Sequence, residues 1–329
     1  MSGQDLSSYP LLFFQPSESA QTVEPAESFP PILDESDLLP CIDLQKLNPV
    51  EIGKACRDWG MFRLVNHGIP MELTAQLQEE SKKLFSLPFE SKKARIQSPL
   101  SYFWGTPALT PNGVVITKEV QNVNRMEGIF TILNQLPQML GDDPVLHSFR
   151  SLLEEYGRHM ARLGRCLFEA LRKNVGMDPT LSQSYLSEST GTFRVYRYLQ
   201  CSEPNKAEGL GAHTDSTVLS ILNQNEVGGL QICKDDRWME IRPITNTLIV
   251  NIGDMFQVMS NDEYKSVKHR VMNKREERIS ICYFVFPEGD GVIHSTKYKP
   301  FTYKDFRAQV QEDLKTIGFK VGLQRFSHT

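Results

Sequence analysis

His213-Thr214-Asp215, His269 and Arg278-Ile279-Ser280 are the residues of this 329-residue chain whose types and spacing could do chemistry. Two imidazoles and one carboxylate are the donor set that leaves half of an octahedral ferrous ion open to other ligands. In an extended strand, residues i and i+2 face the same side, so His213 and Asp215 are expected to grip one ion from one face. His269 arrives from a strand distant in sequence. Beyond it, Arg278 and Ser280 share a face of their own strand, where a guanidinium fork and a hydroxyl could hold a carboxylate. Taken singly, each pattern is common and usually binds nothing. Their order and spacing together point to an oxygen-activating enzyme that uses a 2-oxo acid.

Composition bounds what surrounds this site. A 40% apolar and 23% charged sequence is that of an ordinary globular protein, long enough to bury a substantial core. The net charge of −4 offers no general footprint for nucleic acid or an anionic membrane, so an acidic ligand must meet local cations. Six scattered cysteines include no Cys-x-x-Cys pair, which argues for reduced thiols in an intracellular compartment. No signal-like or membrane-spanning run is found, and the expected location is the cytosol, with diffusion into the nucleus left open.

The elements that must position the site fall mostly in the second half of the chain. Residues 1–35, rich in Ser, Gln, Pro and Glu, read as a disordered leader, 36–180 as a mixed, largely helical part, and 181–329 as the metal-bearing domain with a C-terminal helix. In the middle part, helices are expected from Asn48-Pro49 to Trp59 and over Met71–Phe85, with a strand at Met61–Val65 between them. The stretch 99–124 reads as an irregular flap. A long amphipathic helix is expected from Pro144 to Val175, its stripe of Phe149, Leu152, Leu153, Tyr156, Met160, Leu163, Leu167 and Leu171 facing the core. After Thr190 come short runs that read as strands: Thr192–Leu199, Val218–Leu222, Gly229–Cys233, Trp238–Ile241, Thr247–Ile252, Met255–Met259, Val267–Met272 and Ile279–Phe286. Such spacing favours two sheets forming a sandwich or barrel. A last helix is expected over Tyr303–Ile317.

These residues carry a family likeness. Leu39-Pro40-Cys41-Ile42-Asp43-Leu44, Trp59-Gly60-Met61-Phe62, Asn66-His67-Gly68-Ile69-Pro70, Gly228-Gly229-Leu230-Gln231, Asn251-Ile252-Gly253-Asp254 and Lys268-His269-Arg270-Val271, with the metal motif, resemble the plant 2-oxoglutarate/Fe(II)-dependent dioxygenases. The resemblance implies a mainly β fold with flanking helices: a double-stranded β-helix (jelly-roll) core with the helical N-terminal part packed on it. It also implies Fe(2+) held by His213, Asp215 and His269, and 2-oxoglutarate held by Arg278 and Ser280 with help from the Tyr198 hydroxyl. O2 would be consumed, succinate and CO2 released, and ascorbate would serve as reductant in assays.

Within the family, Tyr102-Phe103-Trp104-Gly105, the region of Glu127 and Lys320-Val321-Gly322-Leu323-Gln324-Arg325-Phe326 look most like the gibberellin 2-oxidases, in the branch acting on C20 precursors. One departure stands out. Where the family usually shows Arg-x-Asn-x-Tyr-Pro, this chain has Tyr196 for Asn and Leu199 for Pro, which leaves a non-2β modification open. Flavonoids, auxins and alkaloids are alternative substrates, and an oxidase that dispenses with 2-oxoglutarate is an alternative enzyme. A diterpenoid carboxylic acid needs apolar walls and a cation. Tyr102, Phe103, Trp104, Phe130 and Phe284 are candidate walls, and Arg194 or Arg125 candidate anchors. No nucleic-acid or membrane partner is expected, and a monomer is the default.

Overall fold

The computed structural model of the chain describes residues 7–8, 38–96, 100–105, 126–138, 143–179, 191–203 and 207–328. Strand β1 (Cys41–Asp43) leads into helix α1 (Pro49–Asp58). There the Asn48 side chain accepts from the Val50 N–H at 2.9 Å, and proline sits in the first turn, where its missing N–H costs nothing. Strand β2 (Met61–Val65) follows after Gly60, whose positive φ of 65° puts the missing side chain against the Lys265 carbonyl. A Cβ there would sit 2.2 Å from that oxygen, so only glycine fits. Helices α2 (Met71–Ser86) and α3 (Phe89–Arg95), strands β3 (Ser101–Trp104) and β4 (Met126–Ile132), and the long α4 (Pro144–Asn174) complete the first half.

The second half is mostly strand. In order come β5 (Thr192–Tyr198), β6 (Glu208–His213), β7 (Leu219–Gln224), β8 (Leu230–Lys234), β9 (Arg237–Glu240) and β10 (Leu248–Ile252). Then come α5 (Asp254–Met259), β11 (His269–Met272), β12 (Arg278–Val285), β13 (Val292–Ile293) and β14 (Phe301–Thr302). Helix α6 (Tyr303–Thr316) closes the run, started by a capping box in which Thr302 and Asp305 satisfy each other's backbone N–H.

Eight strands form one sheet in the order β1-β2-β10-β7-β12-β5-β4-β3, and four form a second in the order β6-β11-β8-β9. Apart from the parallel β1–β2 pair, the pairings are antiparallel. This is the expected jelly-roll sandwich. Strands from both sides of residue 180 share the large sheet, whose two edges come from the N-terminal part. Alternation along each strand sends one set of side chains inward and the other towards the helices. Met61, Phe103, Met126, Tyr196, Tyr198 and Ile249 of the large sheet meet Leu230, Ile232 and Val271 of the small one. On the opposite face, Leu64, Ile129, Val195, Ile221, Val250 and Ile281 pack with the α4 stripe, whose members are buried as expected except Leu152, which is only partly covered.

Several expectations are corrected. Met255–Met259 is a helical turn rather than a strand, since Met255, Phe256 and Val258 are all buried and leave no polar alternation to distinguish the two. Strands β3 and β4 and helix α3 were not expected, and β6 runs over Glu208–His213 where the strand was expected to carry His213 and Asp215 together. Most of the flap over 99–124, and Arg125 with it, lies outside the described residues. Most of the leader does too, but Ser7 and Ser8 are docked: the Phe89 N–H donates to the Ser7 carbonyl at 2.9 Å, and Ser8 is buried.

That docking satisfies a buried ionic cluster. The Lys92 ammonium, fully buried, donates to the carbonyls of Ser8 (2.8 Å) and Phe85 (2.9 Å) and to Glu127 Oε2 (2.6 Å). Glu127 also receives the Tyr102 hydroxyl and pairs with Arg197, which donates in turn to the Ser8 hydroxyl at 3.3 Å. Burial pushes the Lys92 ammonium down to about 8 against the pull of Glu127. A buried charge is tolerated only when its hydrogen bonds are made, and Ser8 supplies one of three.

Candidate active site

The ladder between β11 and β6 sets His269 directly opposite His213, with ring centroids 4.4 Å apart. His213 is the last residue of β6, and Asp215 lies beyond the strand end, not on the strand as the His-x-Asp spacing suggested. The outcome is still convergence. Asp215 Oδ1 lies 3.6 Å from His213 Nε2 and 3.8 Å from His269 Nε2, and one ligand atom from each residue falls within 4.8 Å of the others.

Surrounding groups aim these atoms. The Nδ1 of His213 stands 2.7 Å from the Gly211 carbonyl, and that of His269 3.1 Å from the Val267 carbonyl. Only an Nδ1–H satisfies those carbonyls, so each Nε2 keeps its lone pair for the shared centre. The other oxygen of Asp215 accepts from the Ser220 hydroxyl at 2.6 Å and the Asn251 amide at 2.7 Å, which leaves Oδ1 facing the imidazoles. Burial alone would raise the Asp215 carboxyl, but the facing imidazoles and the Ser220 hydroxyl hold it well below the usual carboxylate range. Burial and the neighbouring His213 depress His269 to about 4. An ionised carboxylate and a neutral imidazole are the protonation states a metal requires.

Across the sandwich, β12 presents Arg278, Ser280, Cys282 and Phe284 opposite Tyr198, Tyr196, Arg194 and Thr192 of β5. Arg278 is 1% exposed, lies 4.8 Å over the Tyr198 ring, and donates through Nη2 to Gln224 at 2.8 Å. Its Nε and Nη1, and the Ser280 hydroxyl, are buried with no hydrogen-bond partner among the described residues. Uncommitted donors on a buried cation are costly unless an anion arrives. A carboxylate fits that cradle, and the three-ligand centre fits a ferrous ion.

Arg194 shares this face. Its guanidinium lies 5.3 Å from the Phe284 ring centroid and 5.9 Å from that of Phe130, and donates to the Tyr196 hydroxyl at 3.3 Å. Among the described residues, no carboxylate forms an ion pair with it, and its Nε is buried without a partner. Burial opposes its charge, but Tyr196 and Asp215 outweigh that and keep it protonated.

Strand register reassigns two expected walls. Tyr102 and Trp104 of β3 point to the helix side, edge-on to Phe89, with the Tyr102 hydroxyl on Glu127. Phe103 is the residue of that trio on the site face, 5.9 Å from Tyr196. Gly128 of β4 makes room for it, since a Cβ there would lie 2.3 Å from the Phe103 ring. Sequence reasoning missed Ser220, Gln224 and Asn251, although Asn251 stands in a motif it had singled out.

Comparison with known proteins gives two family matches. Residues 185–287 match the 2OG-Fe(II) oxygenase superfamily, and residues 39–141 match the family described as non-haem dioxygenase in morphine synthesis N-terminal. Gibberellin 2-beta-dioxygenase 8 of Arabidopsis thaliana is 37% identical over 90% of this chain and 86% of its own length. Gibberellin 2-beta-dioxygenase 6 of Oryza sativa subsp. japonica is 34% identical over 88% of this chain and 84% of its own. Jasmonate-induced oxygenase 1 of Arabidopsis thaliana is 32% identical over 92% and 79% respectively. The crystal structure of JOX2 in complex with 2OG, Fe and JA superposes with a TM-score of 0.74 at 27% identity, covering 98% of this chain and 99% of that one.

Proposed function

The chain belongs to the 2OG-Fe(II) oxygenase superfamily, and from that premise we propose that it hydroxylates a gibberellin or gibberellin precursor and thereby inactivates the hormone. Bound iron supplies oxygen activation, coupled to conversion of 2-oxoglutarate into succinate and CO2. His213, Asp215 and His269 are the residues that would hold the iron. Arg278 and Ser280 would take the far carboxylate of 2-oxoglutarate, with Tyr198 stacked against the guanidinium. Phe130 and Phe284, which flank Arg194, and Phe103, which lies against Tyr196, would form apolar walls for the substrate.

Arg194 carries the substrate reading. It is a protonated guanidinium that pairs with no carboxylate among the described residues, held between two phenyl rings on the same sheet face as the cosubstrate cradle. An apolar carboxylic acid suits both the rings and the charge. Four gibberellin 2-beta-dioxygenases among the relatives, 31–37% identical, support the same class. The proposed place of action is the cytosol.

A second outcome, oxidation at a carbon other than C2, is favoured by Tyr196. Its phenol stands opposite Ser280 and touches Arg194, so it bears on both cosubstrate and substrate. The test is to incubate the full chain with Fe(II), ascorbate, 2-oxoglutarate and a panel of gibberellins, flavonoids and auxins. A hydroxylated gibberellin formed in step with succinate is expected, and its NMR spectrum reports the carbon. Turnover of flavonoids or auxins with no gibberellin consumed would overturn the substrate assignment.

A further inference from the structure

Thr214 sits between the two metal-facing residues of the His-x-Asp motif, outside any strand, because β6 ends at His213. The strand therefore fixes only one of these two side chains. What holds the next two residues comes from far along the chain. The Lys320 ammonium donates to the Thr214 carbonyl at 2.8 Å and to its hydroxyl at 3.1 Å, and pairs with Asp254 Oδ2 at 2.5 Å. Asp254 heads α5, and its own N–H donates to the Asp215 carbonyl at 2.8 Å. Three ammonium protons thus meet three acceptors, in a pair whose side chains are only 16% and 4% exposed.

The C-terminal segment is built to deliver this lysine. Asp313 of α6 accepts from the Val321 N–H at 3.2 Å and from Arg325 Nε at 3.0 Å. The Phe326 ring lies 4.3 Å from Phe301 and 5.7 Å from Phe306, and the Phe326 carbonyl accepts from the Lys299 N–H at 2.8 Å. Lys320 itself lies 5.6 Å over the Phe306 ring.

We propose that Lys320 is a positioning residue for the metal centre. It fixes the Thr214 peptide, and with it the angle at which His213 and Asp215 meet an ion. The proposal rests on the reading of His213, Asp215 and His269 as ligands. Partners one step removed from metal ligands typically change affinity tenfold to a hundredfold when lost, through ligand orientation alone.

The experiment is titration of Mn2+ into metal-stripped full-length protein, with free Mn2+ read by electron paramagnetic resonance. Lys320→Met is expected to raise the Mn2+ Kd by roughly tenfold or more. The double variant Lys320→Met/Asp254→Asn removes the unpaired buried carboxylate, and its Kd is expected to stay raised. It also carries the measurement if the single variant fails to fold. Recovery of the wild-type Kd in the double variant would assign the effect to stray charge and overturn the clamp. So would a Kd within twofold of wild type in Lys320→Met while Asp215→Ala abolishes binding. Undiminished binding in Asp215→Ala would instead remove the ligand assignment, and the clamp with it.

Discussion

Arg278→Lys separates geometry from charge in the cosubstrate cradle. The native guanidinium commits Nη2 to Gln224 and leaves Nε and Nη1 without partners among the described residues, on a side chain 1% exposed. A bidentate approach of carboxylate to that free edge is available to arginine and not to lysine. Lysine keeps the positive charge but forfeits one charge-assisted hydrogen bond of about 1.5–3 kcal/mol, which weakens 2-oxoglutarate roughly tenfold to a hundredfold. Ser280→Ala removes a neutral hydroxyl instead, worth about 0.5–1.5 kcal/mol, or roughly twofold to tenfold. The assay is calorimetric titration of 2-oxoglutarate into anaerobic, Mn2+-loaded protein. Mn2+ affinity itself should stay within about twofold, because no hydrogen bond or ion pair links Arg278 to His213, Asp215 or His269. A cosubstrate Kd unchanged in Arg278→Lys, or a larger effect from Ser280→Ala, would refute the cradle.

Arg194→Met should raise KM for a carboxylate substrate about tenfold or more, while KM for 2-oxoglutarate moves little; equal effects on both would argue against an anchor. Deleting residues 2–8 strips Lys92 of one acceptor and Arg197 of another, so urea unfolding should show a loss of about 1–3 kcal/mol, and an unchanged midpoint would mean the docked serines contribute nothing. Acid should destabilise the metal-free protein. His67 and His269 both titrate below the ordinary 6.5 when folded, chiefly through burial, so between the two values the unfolded chain binds the extra protons. The His269 contribution is complete above about pH 6.5 and lost as pH falls towards 4, and the His67 contribution is likewise lost on going below 6.5, by up to about 1.4 kcal/mol per pH unit for each group while it titrates. A urea midpoint that stays level from pH 7.5 to 5 would contradict this.

The convergence of His213, Asp215 and His269 and the shared face of Arg278 and Ser280 were legible because few residue types can bind iron or grip a carboxylate, so their spacing stands out. The sheet-rich second half was legible from alternation. Register was not. Tyr102, Phe103 and Trp104 are all large and aromatic, and only pairing of β3 with β4 decides that Phe103 faces the site while its neighbours face Phe89. Strand β6, Glu208–His213, hid because Gly209, Gly211 and Ala212 have little strand preference; its pairing with β11 supplies what local propensity does not. Ser8 looked like leader because the charges that receive it, Lys92 and Arg197, lie 84 and 189 positions away. Lys320 was quoted only as part of a family-like tail, since its partner Thr214 stands 106 positions earlier.

The most direct test of the central claim is a crystal of the full chain grown without oxygen in Fe(II) and 2-oxoglutarate, with anomalous data collected at the iron edge. One iron peak is expected within bonding distance of His213 Nε2, Asp215 Oδ1 and His269 Nε2, with the distal carboxylate of 2-oxoglutarate on Arg278. An iron peak elsewhere, or 2-oxoglutarate bound away from Arg278, would contradict the account.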